Sequence, residues 1–178
     1  DSKSRAGGVL YSDYSLGRFF AEAARQPWFE NTIFLVTADH CASSAGRTEI
    51  PLQKYHIPAL ILAPGLIEPG VVDGIVSQID LMPTLLSLLN MSYDSHFYGR
   101  SIFDPAYVNR AFIATYQDLG YLEGDTFTIL LPVRRFEQYR VVPTEENPHH
   151  LETMERKDAM QVDRAIGYYQ TSCKWNKR

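Results

Sequence analysis

Two short apolar runs constrain the fold of this chain more than any other feature. They are residues 32–37 (TIFLVT) and residues 57–63 (IPALILA), and the second is closed by the turn dipeptide at residues 64–65 (PG). Both runs are continuous and rich in β-branched residues, which is typical of strands covered on both faces. We therefore expect two buried strands in a sheet that is flanked by helices.

Helical patterns surround these runs. Apolar residues between Gly8 and Gln26 recur every three to four positions, which predicts an amphipathic helix that Pro27 ends. Residues 79–89 predict a second helix, with Asp80 placed to cap it. A final helix is predicted over residues 151–173.

The remaining segments have strand character. We expect a strand at residues 111–116 and a hairpin formed by residues 126–131 and 139–142. The fold class predicted is α/β: part of a mostly parallel sheet flanked by helices, with a small antiparallel β annex and a C-terminal helix. Residues 1–110 are predicted to form the α/β part, and residues 111–178 the annex and closing helix of the same domain.

The predicted parallel part has too few strands of its own. Two crossover-connected strands do not make a stable sheet, so we expect further strands from the remainder of the same polypeptide or from a partner chain. The chain opens on polar residues without a Met, and we interpret it as a C-terminal fragment or processed product. We expect such a fragment, alone, to be poorly stable or self-associating.

Composition excludes two classes of function. The net charge is -4, with 17 Lys plus Arg and 21 Asp plus Glu, and the scattered basic residues argue against nucleic acid as a partner. No run approaches the ~18 apolar residues of a membrane span, so this segment is not predicted to cross a membrane. Cys41 and Cys173 match no zinc motif, and the sequence leaves open whether they pair.

The strongest local signal for chemistry is Asp39-His40, which follows the first apolar run. Ligands gather beyond the carboxyl ends of strands in open α/β sheets. A carboxylate oxygen and an imidazole nitrogen together suit Mn, Zn, Mg or Ca. The dipeptide alone favours a second interpretation, in which Asp39 caps the next turn and His40 forms a hydrogen bond within a loop.

An ordered set of motifs surrounds this pair. It comprises residues 11–19 (YSDYSLGRF), 33–40 (IFLVTADH), 54–65 (KYHIPALILAPG), 77–85 (SQIDLMPTL), 99–103 (GRSIF) and 168–170 (YYQ). The set resembles the C-terminal portion of the sulfatase and lipoteichoic-acid-synthase-like phosphoglycerol transferase family, in the alkaline phosphatase superfamily.

The resemblance implies that Asp39 and His40 coordinate one divalent metal, which could be Mn, Ca, Mg or Zn. The family's nucleophile is a Thr, or a Cys or Ser converted to formylglycine, and it lies upstream. Cys41 lacks the downstream Pro and Arg of the formylglycine motif. No catalytic nucleophile is therefore expected in this chain, and the chain alone is expected to be inactive.

The resemblance also implies a substrate and a location. The substrate would be an anionic sulfate or phosphate ester, and the motifs favour the phosphoglycerol transferase branch over arylsulfatases. Arg47, Lys54, His56 and Arg100 are candidates for binding that anion, with a structural or solvated role as the alternative for each. The parent protein is expected to be membrane-anchored with an extracytoplasmic catalytic domain, periplasmic or at the cell surface.

A non-catalytic role is the alternative hypothesis. A degenerate relative could keep Asp39 and His40 as a structural site while binding an anionic glycan or lipid headgroup. A nucleophile upstream at the end of the first strand would favour the enzyme. Two other features are interpreted structurally, with Asp80 as a capping or packing residue and His149-His150 as the loop before the last helix.

Overall fold

The structure is a computed structural model that describes residues 4–41 and 50–175. The chain divides into two compact units. The first contains the residues up to Val36 together with Ala59–Val71, and the second contains Thr37–Pro58 and the residues from Val72 onward. No described helix is both long and apolar enough to cross a membrane.

The first unit contains the predicted first helix and the two predicted strands. Helix α1 spans Arg5–Ala23, and the Ser4 side chain caps it by accepting a hydrogen bond from the Gly7 N–H. Strands β1 (Phe34–Thr37) and β2 (Ala59–Leu62) pair with each other. The helix and both strands were correctly predicted from periodicity and apolar runs.

The burial predicted for these elements is wrong for this chain. The strands are half-buried or exposed along their length, and α1 buries only Ala23. Val9, Leu10 and Tyr11 of α1 are 66%, 70% and 73% exposed. A two-stranded sheet leaves most of its surface uncovered, so the apolar runs are not enclosed on both faces.

The second unit is dominated by a five-stranded sheet and two helices. Its order along the chain is α2 (Leu81–Leu88), β3 (Arg110–Ala114), β4 (Leu119–Glu123), β5 (Thr126–Leu131), β6 (Arg135–Val141), β7 (Leu151–Thr153) and α3 (Ala159–Trp175). The strands lie in the order β3-β4-β5-β6-β7, and every neighbouring pair is antiparallel. The mostly parallel sheet that we predicted is therefore wrong, while α/β content is confirmed.

Short connections explain this antiparallel topology. Only two residues join β4 to β5, and Gly124 at the first of them has a φ of 58°. A two-residue turn of this kind suits antiparallel strands, because parallel strands require a long crossover. The predicted hairpin is confirmed as β5 and β6, whereas β4 was not predicted.

The predicted final helix begins too early. Residues 151–153 form β7, in which Leu151 pairs with Val141, and α3 begins only at Ala159. The Val142 N–H also donates to the His150 carbonyl, which brings the end of β6 to the start of β7. These pairings satisfy the backbone of residues 151–153 as a strand edge, so the helix prediction was wrong there.

One side of the sheet packs on an apolar core. The buried members are Ile50, Leu52, Ile113, Leu122, Phe127 and Ile129. Each such side chain contributes about 1.5–3 kcal/mol relative to an exposed position. Both cysteines are free, with Cys41 buried and Cys173 exposed, so they do not form a disulfide.

A buried polar cluster, which the sequence did not indicate, joins the sheet to α3. The Thr128 hydroxyl donates to Gln161 Oε1 at 3.0 Å, and Gln138 Nε2 donates to the Thr128 hydroxyl at 2.9 Å. Gln138 also accepts from the Asp158 N–H at 2.7 Å, next to the start of α3. Because these buried amides have partners, the cluster fixes the helix on the sheet without an unsatisfied polar group.

Candidate metal centre

The segment that carries Asp39 and His40 begins where β1 ends. Thr37 is the last residue of β1, and its hydroxyl donates to the Pro58 carbonyl at 3.1 Å. Within a strand, Asp39 and His40 would point to opposite faces of the sheet. Beyond the end of β1 the backbone leaves the strand, so both side chains can face the same region.

The two side chains are close together and open to solvent. Asp39 Oδ2 lies 3.5 Å from His40 Nε2, and these side chains are 87% and 76% exposed. Asp39 Oδ1 accepts a hydrogen bond from the His40 backbone N–H at 2.9 Å. One carboxylate oxygen is therefore held by the backbone, while the other lies beside the imidazole.

The His40 ring is oriented by its other nitrogen. Nδ1 lies 2.9 Å from the Cys41 carbonyl oxygen, which can only accept. Nδ1 must therefore carry the proton, and in the neutral ring Nε2 presents its lone pair next to Asp39. Metal-binding histidines are commonly fixed in this way, with the second ring nitrogen donating to a backbone carbonyl.

The pair fits two positions in the coordination shell of a divalent cation. Two ligands that each lie about 2.0–2.2 Å from one metal are separated by roughly 3 Å, close to the observed spacing. Among the residues that the structure describes, no group of three or more His, Cys, Asp or Glu side chains could hold a metal. Asp39 and His40 would thus require ligands from outside these residues.

A third residue supports the backbone of the pair. Gln78 belongs to a short 3₁₀ helix, Gln78–Asp80, that leads into α2. Its Nε2 donates to the carbonyl oxygens of Ala38 and Asp39, at 3.1 and 3.2 Å. Sequence reasoning did not identify Gln78, because nothing in a single sequence links it to a segment about forty residues away.

The 3₁₀ helix is fixed by a buried ion pair. Asp80 is 0% exposed and Arg110 is 2% exposed, and two hydrogen bonds of 2.9 and 3.1 Å join them. The Asp80 carboxylate also accepts from the Tyr107 hydroxyl and from the N–H groups of Ser77 and Arg100. Asp80 was predicted to cap the helix that begins at residue 79, but its side chain makes no capping hydrogen bond to α2 and instead closes a capping box with Ser77 around the 3₁₀ helix. Its charged partner Arg110 was not predicted.

The ion pair affects the acid–base properties of its neighbours. Burial lowers the pKa of Arg110, but hydrogen bonding and the charge of Asp80 outweigh that effect, and the net pKa is raised. Burial, followed by the negative charge of Asp80, raises the pKa of the Tyr107 hydroxyl. Arg110 therefore stays charged and Tyr107 stays a proton donor to Asp80 at physiological pH.

Gly99 packs against the backbone of the 3₁₀ helix, at a position where only a glycine fits. A Cβ at this position would lie 1.9 Å from the Ile79 carbonyl oxygen, which no side chain can tolerate. The close approach allows the Arg100 N–H to reach Asp80 Oδ1 at 2.8 Å. The GRSIF motif is thus explained, in part, by backbone packing against the 3₁₀ helix.

Three of the four predicted anion-binding residues lie in the part of the chain that the structure describes. Arg47 lies outside the described residues. Lys54 is half-buried in the 3₁₀ helix Leu52–Tyr55, and His56 follows that helix and is exposed. The Arg100 side chain is 58% exposed and lies 3.8 Å from the Asp104 carboxylate. The contacts of these three residues do not test a role in substrate binding, which stays a prediction.

His56 has a neighbour that the sequence did not suggest. Its ring meets the His149 ring edge-on, with centroids 5.7 Å apart. Burial, and then the proximity of His56, lower the pKa of His149. Protonation of His149, in the loop before β7, is therefore disfavoured in the folded protein.

This contact predicts a pH-dependent stability. Because the folded pKa of His149 lies below its unfolded value of about 6.5, the unfolded state binds more protons between those two pKa values. The free energy of unfolding should fall as the pH decreases through that window. Urea titrations from about pH 8 to about pH 5 should show a smaller loss for His149→Gln than for the unmodified protein. The exposed neighbour His150 provides a control, since His150→Gln should keep the original pH dependence. Equal dependence of the free energy of unfolding on pH in His149→Gln and the unmodified protein would contradict the prediction.

Comparisons with known proteins place these features in a family. The sulfatase family model matches residues 2–91, about half of the chain. An arylsulfatase from Clostridium perfringens is 30% identical over 107 residues, which is 55% of this chain and 22% of that protein. A solved protein of the alkaline phosphatase superfamily from Vibrio parahaemolyticus is 30% identical and superposes with a TM-score of 0.81.

Coverage in the structural comparison is asymmetric. The superposition includes 97% of this chain but only 43% of the Vibrio protein. The chain thus spans less than half the length of the relatives it matches. The match to the family model and the structural similarity nevertheless agree with the motif order along the chain. The chain belongs to the sulfatase family, within the alkaline phosphatase superfamily.

Proposed function

We propose that this chain is part of a metal-dependent enzyme that cleaves or transfers sulfate or phosphate esters, and that it contributes Asp39 and His40 as metal ligands. The observation that carries the proposal is the Asp39–His40 pair itself. A carboxylate oxygen and an imidazole nitrogen lie 3.5 Å apart, and the second nitrogen of the ring lies 2.9 Å from a backbone carbonyl. Membership of the sulfatase family supports an anionic ester as the substrate.

The chain's own contribution to the reaction is positioning. Asp39 and His40 would hold the cation at the end of β1. The imidazole would be neutral, with its Nδ1–H donating a hydrogen bond to the Cys41 carbonyl oxygen. When bound, a divalent cation supplies positive charge that offsets the negative oxygens of a sulfuryl or phosphoryl group. The proposal assigns no nucleophile to this chain and predicts that one lies elsewhere in the full-length protein.

Two finer parts of the proposal concern substrate and location. The motif order favours a phosphoglycerol transferase, whereas the Clostridium relative is named an arylsulfatase. Either reaction would use the same metal ligands on an anionic ester. We extend the proposal to an extracytoplasmic catalytic domain on a membrane-anchored parent, on the strength of the family resemblance alone.

Activity assays distinguish the alternatives. The full-length protein would be stripped of metal, reloaded with Mn²⁺, Ca²⁺, Mg²⁺ or Zn²⁺, and assayed on an aryl sulfate and on a glycerophospholipid donor. We expect metal-dependent turnover of one substrate, and we expect Asp39→Ala to abolish it. The exposed residue Asp163 on α3 provides a matched control, because Asp163→Ala should retain activity. Folded protein without turnover under any metal would favour the alternative hypothesis, a non-catalytic protein that binds an anionic glycan or lipid headgroup.

A further inference from the structure

Gln78 holds two consecutive carbonyl groups at the metal pair. Its Nε2 lies 3.1 Å from the Ala38 oxygen and 3.2 Å from the Asp39 oxygen. A side-chain amide carries two N–H donors, so one Gln78 side chain can satisfy both carbonyls at once. The directions of two successive peptide groups are thereby fixed by one residue.

The second of these peptide groups is held from both sides. The Asp39 carbonyl and the His40 N–H belong to one planar peptide unit. Gln78 binds the carbonyl of this unit, and Asp39 Oδ1 accepts from its N–H at 2.9 Å. The orientation of this plane sets where the free Asp39 oxygen and the His40 ring point.

The residue that holds this plane is exposed, but it stands in a short helix with the buried residues Ser77 and Asp80 at its ends. Ser77 and Asp80 form a capping box around the 3₁₀ helix that contains Gln78. Asp80 is fully buried and bonded to Arg110. The Gln78 side chain thus links the exposed Asp39–His40 pair to the short helix that the buried Asp80–Arg110 ion pair holds.

We infer that Gln78 is a positioning residue for the metal pair, acting through the backbone of Ala38 and Asp39 rather than as a ligand. The inference rests on the proposed function, since it concerns the same pair of ligands. Without Gln78, the peptide between Asp39 and His40 can rotate, and the two ligand atoms no longer keep one relative orientation. The cost appears in metal binding and coordination geometry rather than in folding.

Metal affinity in the full-length protein tests this inference. Gln78→Ala removes both donors, and Gln78→Glu keeps the shape but places acceptor oxygens against the two carbonyls. Both variants should raise the Kd for Mn²⁺ by about 10- to 100-fold, the range found when a residue that orients a metal ligand is changed. Gln117→Glu is the control for Gln78→Glu. It adds the same negative charge at an exposed turn and should leave the Kd for Mn²⁺ unchanged.

A spectroscopic readout separates positioning from a merely structural role. In protein loaded with Co²⁺, the visible absorption bands report coordination geometry, and they should shift in Gln78→Ala and Gln78→Glu but not in Gln117→Glu. Thermal unfolding of the metal-free variants shows whether each one folds. If Gln78→Glu is unfolded, Gln78→Ala decides the result, because it introduces no repulsion.

The outcomes also separate this inference from the proposed function. An unmodified protein that binds none of Mn²⁺, Co²⁺, Ca²⁺, Mg²⁺ and Zn²⁺ would overturn the proposed function. An unmodified protein that binds Mn²⁺ and Co²⁺, with unchanged Kd and spectrum in folded Gln78 variants, would overturn the positioning role alone. A raised Kd with a shifted Co²⁺ spectrum supports both.

Discussion

Arg110→Met is expected to lower the free energy of unfolding by about 3–5 kcal/mol, the cost of breaking a buried ion pair from one side. Asp80 and Arg110 are 0% and 2% exposed, so the carboxylate that is left behind cannot be reached readily by water. Its bonds to Tyr107 and to backbone N–H groups remain, but they carry no full positive charge. Urea denaturation of the full-length protein measures the loss.

An exposed ion pair in the same unit provides the control. Arg140 lies 3.5 Å from the Asp125 carboxylate, and these side chains are 57% and 63% exposed. Because solvent screens such pairs, Arg140→Met should change the free energy of unfolding by no more than about 1 kcal/mol. Equal effects of Arg110→Met and Arg140→Met would contradict the importance that we assign to the buried pair.

A second substitution tests whether the unpaired charge is the cause. Asp80→Asn combined with Arg110→Met leaves no isolated charge in the interior. The double variant should therefore be more stable than Arg110→Met alone, since removing both charged partners of a buried pair costs less than removing one. A double variant that is less stable than Arg110→Met would show that the amide at residue 80 cannot satisfy the Ser77 and Arg100 N–H groups.

Asp39→Ala is expected to have the largest effect on metal binding. The substitution removes one of the two metal ligands that we propose in this chain, so the Kd for Mn²⁺ should rise by more than the roughly 100-fold upper range for residues that only orient a ligand. The Asp39 side chain is 87% exposed, and its loss should change the free energy of unfolding by no more than about 0.5 kcal/mol. Isothermal titration with Mn²⁺, together with urea denaturation, measures both quantities.

The matched control for this substitution is Asp163→Ala on the exposed face of α3. It removes the same charge at a position far along the chain from the pair and should leave the Kd unchanged. Full Mn²⁺ affinity in Asp39→Ala would contradict the assignment. A large loss of stability in that variant would mean that Asp39 serves the local fold instead.

Local sequence signals predicted the strand that leads into the candidate site. The apolar run that ends at Thr37 predicted β1, and Asp39 and His40 follow it, while their role as metal ligands stays a prediction. These inferences required only neighbours in sequence. Gln78 and Arg110 required contacts across about thirty to forty residues, which a single sequence does not encode as a pattern.

The sheet shows the same division between local and distant information. The hairpin of β5 and β6 was predicted from the strand character of its own residues, but β4 and β7 depend on their partners. Position 120 in β4 favours glycine, because a Cβ there would lie 2.8 Å from the Phe127 ring. In a sequence, such a glycine is typical of a loop, although in the structure it allows close packing between strands.

Helix α1 illustrates a different limit. Its three-to-four spacing correctly predicted a helix, yet Leu10, Tyr11 and Tyr14 are 70%, 73% and 61% exposed. Periodicity reports that a helix has an apolar face, but it does not report what covers that face. The expectation that further strands complete the sheet therefore stays a prediction.

The most direct test of the central claim is a crystal structure of the full-length protein grown with Zn²⁺, with anomalous scattering measured at the zinc edge. We predict an anomalous peak about 2.0–2.2 Å from a carboxylate oxygen of Asp39 and from Nε2 of His40. His40 Nδ1 should still donate to the Cys41 carbonyl in that structure. Zinc bound elsewhere in the protein, with neither Asp39 nor His40 as a ligand, would contradict the account.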